Sequence, residues 1–171
     1  MALVGLIGCK QATTNKADLA NLPIQDAVFT TADKIQVVAY EQAKRDVYNY
    51  NIPLITKGKY VEQGYLENII LNAEQRDSLY NIIYHSYDSM PDTVVVDCYN
   101  PHHAILFSIK DSVIACYEIC FDCLSTRQQP NLNKGRIGYE TYCKLYSFFN
   151  NELKLDMKKR EPYRTEASLC D

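Results

Sequence analysis

Cys98, His103, Cys120 and Cys123 are the residues of this chain whose types and spacing can do chemistry. They lie in residues 94–123, VVVDCYNPHHAILFSIKDSVIACYEICFDC, which hold four of the seven cysteines and two of the three histidines. Cys98 and His103 form a C-x4-H pair, sixteen residues follow, and Cys120 and Cys123 form a C-x2-C pair. Two short ligand pairs of that kind make up the Cys3His set that tetrahedral zinc takes. His102 is the substitute histidine and Glu118 a supporting carboxylate. The same sulfurs also suit a disulfide from Cys98 to Cys120 or Cys123, or thiols used in packing or as nucleophiles. Type and spacing leave all three readings open.

Residues 94–98, 104–109 and 113–121 are short apolar runs rich in β-branched side chains, which predicts three strands. Lys110 and Asp111 then form a two-residue hairpin loop. Counting back from it pairs Ile109 with Ser112, Phe107 with Ile114 and His103 with Glu118, and brings Cys98 opposite Cys123. Pro101 cannot donate to a ladder, so residues 98–103 bend at the end of their strand. A slip of one residue in this register would turn the side chains to the opposite face.

At these positions the chain resembles an uncharacterised group of small lipoproteins and secreted proteins, best represented in the Bacteroidetes. They carry a C-Y-x-P-[RH]-H segment, a strand, and then E-I-C-F-x-C. Here the two motifs are Cys98-Tyr99-Asn100-Pro101-His102-His103 and Glu118-Ile119-Cys120-Phe121-Asp122-Cys123. The resemblance covers about the second half of the chain. His102 stands where arginine is more usual, so the resemblance implies His103 as the functional histidine. It implies a site and not a reaction.

The elements that must position this segment are read from periodicity. Residues 34–40 alternate as a strand, and residues 48–55 form an extended segment that Pro53 confines to a sheet edge. Lys57-Gly58-Lys59 is a turn, and residues 60–71 contain another strand. Asn72, with Gln75 three residues on, opens a helix through about Tyr84 whose inner face carries Leu79, Ile82, Ile83 and Ser86. His85 is a surface residue near its end. Residues 125–138 are polar and contain Pro130, Gly135 and Gly138, which predicts a loop. Tyr139, Tyr142, Tyr146, Phe149 and Leu153 recur at helical spacing, with Cys143 as a packing residue beside them. The expected fold class is α+β: one domain over residues 34–156, mainly antiparallel sheet packed by about two helices.

Residues 1–9, MALVGLIGC, resemble the end of a bacterial lipoprotein signal, with Leu6-Ile7-Gly8-Cys9 as the lipobox and Cys9 as the lipidated residue. The run lacks a basic leader and is short, as a start inside a longer signal peptide would produce. A polar tether over residues 10–33 follows, and residues 157–171 form a charged tail. The expected location is the cell envelope, on a membrane and facing the periplasm or the cell surface. An extracytoplasmic address permits disulfides.

A net charge of −3 offers no basic field for nucleic acid. Fourteen tyrosines without a tryptophan fit packed sheet faces and helix seams better than a recognition surface. Two functions follow. In one, a lipid-anchored protein binds a protein or small-molecule ligand, and its Cys/His cluster is a structural zinc or disulfide site. In the other, a thiol enzyme or redox protein uses Cys98 with His103, oriented by Glu118 or Asp97, or uses Cys120 with Cys123. A redox C-x-x-C should open a helix, whereas this one closes a strand, and no third catalytic group is fixed by sequence. Binding is therefore the leading expectation.

Overall fold

A strand whose successive residues are all buried must be covered on both faces. Residues 35–39 of strand β1 (Lys34–Ala39) are such a run. The computed structural model describes residues 24–86, 98–132 and 137–157. In it β1 lies between β4 (Glu67–Ile70) and β5 (His103–Ile109), and β6 (Ser112–Cys120) and β7 (Ser125–Gln129) complete the sheet. The order is β4-β1-β5-β6-β7, antiparallel throughout. Among the described residues three helices pack on one face: α1 (Ile24–Thr31), α2 (Ala73–His85) and α3 (Tyr139–Ser147), the last continued by a π-helical stretch at Phe148–Glu152. Their core meets Ile35, Val37, Ile105, Phe107, Tyr117 and Ile119 of the sheet. On the other face Tyr40, Ala43, Leu54 and Tyr60 cover Val38, Ala104, Leu106 and Cys116. That cover includes a small hairpin of β2 (Ile55–Thr56) and β3 (Lys59–Tyr60). The chain is a single α+β domain, as composition and periodicity predict.

Local signals account for much of this. Asn72 and Gln75 form the reciprocal capping box: the Gln75 N–H donates to Asn72 Oδ1 at 2.9 Å, and the Asn72 N–H donates to Gln75 Oε1 at 3.0 Å. Leu79 and Ile83 are the fully buried residues of α2. In the second helix stripe Tyr142, Tyr146, Phe149 and Leu153 are buried, through α3 and its π-helical continuation.

Three expectations are corrected. Residues 24–31, placed in the polar tether, form α1, and Val28 and Ala32 join the helical core with Phe29 packed against it. Residues 48–54 form turns, and the strand near them is only Ile55–Thr56. The polar stretch after the cysteines, expected as loop, contributes β7. Its side chains hold the covering segment: Arg127 Nη2 donates to the carbonyls of Tyr50 and Ile52 at 2.8 and 2.5 Å, and Gln129 Oε1 accepts from the Leu54 N–H at 2.5 Å. Residues that pair by backbone on one side and bind backbone with their side chains need not be apolar to be a strand. The lipobox, residues 10–23, Asp97 and residues 158–171 lie outside the described residues.

The β5–β6 hairpin begins in the expected register, Ile109 opposite Ser112, then departs from it. Ser108 pairs with Val113 but Phe107 pairs with Ala115, so Ile114 is an extra residue in β6. This bulge places Ile114 and Ala115 both against the helical core while Val113 and Cys116 face the other layer. His103 thereby faces Ile119 instead of Glu118, which lies opposite Ala104. The loop residues Lys110 and Asp111 have φ of 47° and 64°, the left-handed pair that a type I′ turn requires. A left-handed conformation costs a non-glycine residue roughly 1–2 kcal/mol. Lys110→Gly is therefore expected to stabilise the protein by about 1 kcal/mol. A thermal melt of the variant at or below the wild-type midpoint would refute that assignment of strain.

Candidate functional site

Downstream of the bulge, alternation points Cys116, Glu118 and Cys120 to the face away from the helices, and Tyr117, Ile119 and Phe121 toward them. At the strand's end, residues 121–124 turn, with Leu124 at a φ of 44°. This turn carries Cys123 back against the segment that enters β5. There Cys98 and Cys123 form a disulfide, with Cα atoms 5.7 Å apart. The proximity predicted for these two cysteines is what the fold delivers. Tyr99, Cys120 and Cys123 form a small buried cluster with half-buried Cys98 and Val47 against it. Cys120 is a thiol: its Sγ donates to the carbonyl of Asn100 at 3.3 Å and accepts from the Cys123 N–H at 3.2 Å.

The four residues read as a zinc set are not brought together as one. Cys98 and Cys123 share a disulfide and present no thiolate. His103 is fully buried on the helical face, its ring 5.5 Å from Phe121 and 5.7 Å from Phe149. The bulge separates it from Cys120, which the expected register would have set on the same face. No group of three or more His, Cys, Asp and Glu able to hold a metal occurs among the described residues. His102 lies at the entry to β5, where its carbonyl accepts from the Tyr40 N–H at 2.9 Å and its Nε2 is 3.0 Å from Asn100 Nδ2. Cys143, expected only to pack, is disulfide-bonded. Cys9 lies outside them as well.

Glu118, read as a supporting residue, is the centre of the polar structure. Its side chain is 0% exposed, and that of Arg45 beside it only 4%. Oε1 accepts from the hydroxyl of Tyr40 at 3.1 Å and from that of Tyr60. Oε2 accepts from the Tyr99 hydroxyl at 2.7 Å and from Arg45 Nη2 at 2.5 Å. The Arg45 guanidinium spans two carboxylates, since Nη1 donates to Glu62 Oε1 at 2.7 Å. Glu62 Oε2 accepts from the Lys44 N–H at 2.9 Å. The hydroxyls of Tyr40 and Tyr60 are themselves 3.0 Å apart. One carboxylate thus ties β6 to the covering segment through Tyr40, Arg45 and Tyr60, and to the disulfide cluster through Tyr99.

The electrostatics follow from this burial. Burial first, and then the charge of Glu118, push the phenols of Tyr40 and Tyr99 well above the usual tyrosine range, and burial does the same for Tyr60. Burial opposes the charge on Arg45, but the two glutamates outweigh it and hold the guanidinium more firmly protonated than in water. Burial also raises the Cys116 thiol, the Glu118 charge adding to it. A carboxylate accepts about four hydrogen bonds, and Glu118 has four donors, all from the protein. It has no lone pair left to take a substrate proton. The arrangement is a tie between layers. Sequence pointed to Glu118 through its motif and the register that set it opposite His103, and to Tyr99 through its motif alone, and nothing local marked Tyr40, Arg45, Tyr60 or Glu62.

A separate concavity of about 440 Å³ lies between α1 and α2. Asp26, Phe29, Thr30, Ala73, Asp77 and Tyr80 line it with Arg76. Arg76 is turned to backbone, donating to the carbonyls of Leu71, Ala32 and Asp33 at 3.3, 3.3 and 2.9 Å. The Tyr80 hydroxyl donates to Asp26 Oδ1, and the Phe29 and Tyr80 rings meet edge to face at 5.1 Å. Compared with protein-family models, curated proteins and solved structures, the chain matches none.

Proposed function

We propose that this chain is a lipid-anchored cell-envelope protein whose disulfide-stapled domain acts by binding. The observation that carries the reading is the closed Cys98–Cys123 bridge beside a carboxylate whose acceptor sites are all filled. A bridge of this kind fits an oxidising compartment, and a saturated, fully buried carboxylate fits a structural role better than a catalytic one. Cys9 would be the membrane anchor, joined to the domain through the chain before α1. The concave face suited to a ligand is the α1–α2 groove, where Asp26 and Asp77 stand beside the rings of Phe29 and Tyr80. Such a wall matches an ammonium group on an apolar stem.

Three measurements test this. Its intact mass should carry a diacylglyceryl group on Cys9, and an unmodified Met1 would rule the anchor out. Loss of the Cys98–Cys123 bridge, which spans 25 residues, should lower the unfolding free energy by about 3.5 kcal/mol from loop entropy. Stability that does not respond when Cys98→Ala and Cys123→Ala are combined would remove the structural staple. For the groove, calorimetric titration with a benzylammonium salt should give saturable binding that Asp77→Asn weakens at least fivefold. No saturable binding would remove the groove as the ligand site.

A further inference from the structure

Cys116 and Cys120 are both buried thiols on the same face of β6, yet their surroundings differ. Cys116 packs among Val38, Leu106 and Leu54 in the apolar layer, where burial keeps it protonated. Cys120 sits in one cluster with both sulfurs of the Cys98–Cys123 disulfide, and its Sγ receives the backbone N–H of Cys123 at 3.2 Å. The same Sγ donates to the Asn100 carbonyl at 3.3 Å, so Cys120 is a thiol that gives up this proton before it acts as a nucleophile. Cys120 and Cys123 are three residues apart where the chain turns at the end of β6, and the contact from the Cys123 N–H sets them side by side, as a short disulfide between them requires. The three sulfurs also differ in access: Cys120 and Cys123 are 0% and 2% exposed, while Cys98 is half-buried.

We infer that Cys98, Cys120 and Cys123 form a thiol–disulfide exchange centre in which the bridge moves to Cys120–Cys123 and releases Cys98 as an S-thiolation site for low-molecular-weight disulfides. In the first step the Cys120 thiolate attacks Cys123 Sγ. A Cys120–Cys123 bond forms, the Cys98–Cys123 bond breaks, and Cys98 leaves as the thiolate, taking up the proton that Cys120 gave to solvent. The step is an isomerisation, with one thiol and one disulfide on each side. In the second step the Cys98 thiolate attacks a small disulfide RSSR, forming Cys98–S–S–R and releasing RS⁻. The oxidising equivalent comes from RSSR. The isomerisation exchanges a bridge spanning 25 residues for one spanning three, so it also unfastens the segment holding Tyr99 from the end of β6.

The test traps the released thiol in the folded full chain. Wild-type protein and Cys120→Ala are incubated with N-ethylmaleimide at pH 8, quenched with acid, digested without reductant and mapped by mass spectrometry. The wild type is expected to carry its adduct on Cys98 together with a Cys120–Cys123 bridge, and Cys120→Ala to show at least tenfold less Cys98 adduct with Cys98–Cys123 intact. Oxidised glutathione in place of maleimide should give a mixed disulfide on Cys98 with the same dependence on Cys120. Wild-type adduct on Cys120 with Cys98–Cys123 intact would overturn the inference. So would no adduct on any of the three cysteines, equal Cys98 labelling in the variant, or no mixed disulfide with glutathione. Should Cys120→Ala fail to fold by circular dichroism, Cys120→Val fills the same buried space and is read in the same way.

Discussion

Glu118→Ala is expected to lower the unfolding free energy by about 3–5 kcal/mol, the range for breaking a buried ion pair from one side. The loss is not that of a single bond. Arg45 keeps Glu62 but loses its bond to β6, and Tyr99 loses the carboxylate that takes its hydroxyl. Tyr40 and Tyr60 keep only each other. Each buried donor left without an acceptor costs roughly 1–3 kcal/mol. Glu118→Gln should recover part of the loss at most, because its amide NH2 must face donors that the second carboxylate oxygen accepted. Urea unfolding measures both variants, and a change under 1 kcal/mol for Glu118→Ala would mean that the network does not hold the layers together. Hydrogen exchange should place the loosening in residues 40–62, which the carboxylate pins to the sheet.

The same cluster predicts a steep alkaline limit. Tyr40, Tyr60 and Tyr99 have phenols raised by burial, with the Glu118 charge acting in the same direction. In the unfolded chain they titrate near 10. Below that pH both states hold the three protons, and the stabilising contribution is fully present. Above it the unfolded chain releases protons that the folded protein keeps, so stability falls as pH rises toward the folded-state values. Each such tyrosine contributes a slope of about 1.4 kcal/mol per pH unit, and three together about 4 kcal/mol per unit. The raised Cys116 thiol acts in the same direction. Urea midpoints between pH 8 and 11 should drop accordingly, and phenolate absorbance from the three should appear with unfolding and not before it. Tyr99→Phe should make the slope shallower by about 1.4 kcal/mol per pH unit. Stability that stays flat to pH 11 would contradict this account.

What could be read from sequence was what is encoded locally. The capping box at Asn72 and Gln75 and the aromatic stripe from Tyr142 to Leu153 each report their own geometry within a few residues. The approach of Cys98 to Cys123 was legible because both flank one hairpin. The place of His103 was not, because the extra residue Ile114 is accommodated by packing on both faces of β6, and a bulge leaves no mark in the apolar pattern. The helix Ile24–Thr31 was hidden by its polar surroundings, and β7 by side chains that bond backbone 70 residues or more away in the chain. The Glu118 donors were hidden for the same reason: Tyr60 and Arg45 lie 58 and 73 residues from it.

The two outer strands of the sheet also set how the protein behaves in a crowded solution. An outer strand offers unpaired backbone groups on which a second chain can grow. Along β7, Arg127 and Gln129 reach out to the Tyr50, Ile52, Leu54 and Ile55 backbone, so that flank is roofed by the chain's own cover. The other outer strand, β4, is only four residues long and begins with Glu67 and Asn68, but Ile70 is 61% exposed and Leu66 just before it 50%. Shortness and one charge are its protection against templated aggregation. Intermolecular strand pairing in a destabilised variant therefore starts at residues 66–70, and a lysine in place of Ile70 is the substitution that would block it.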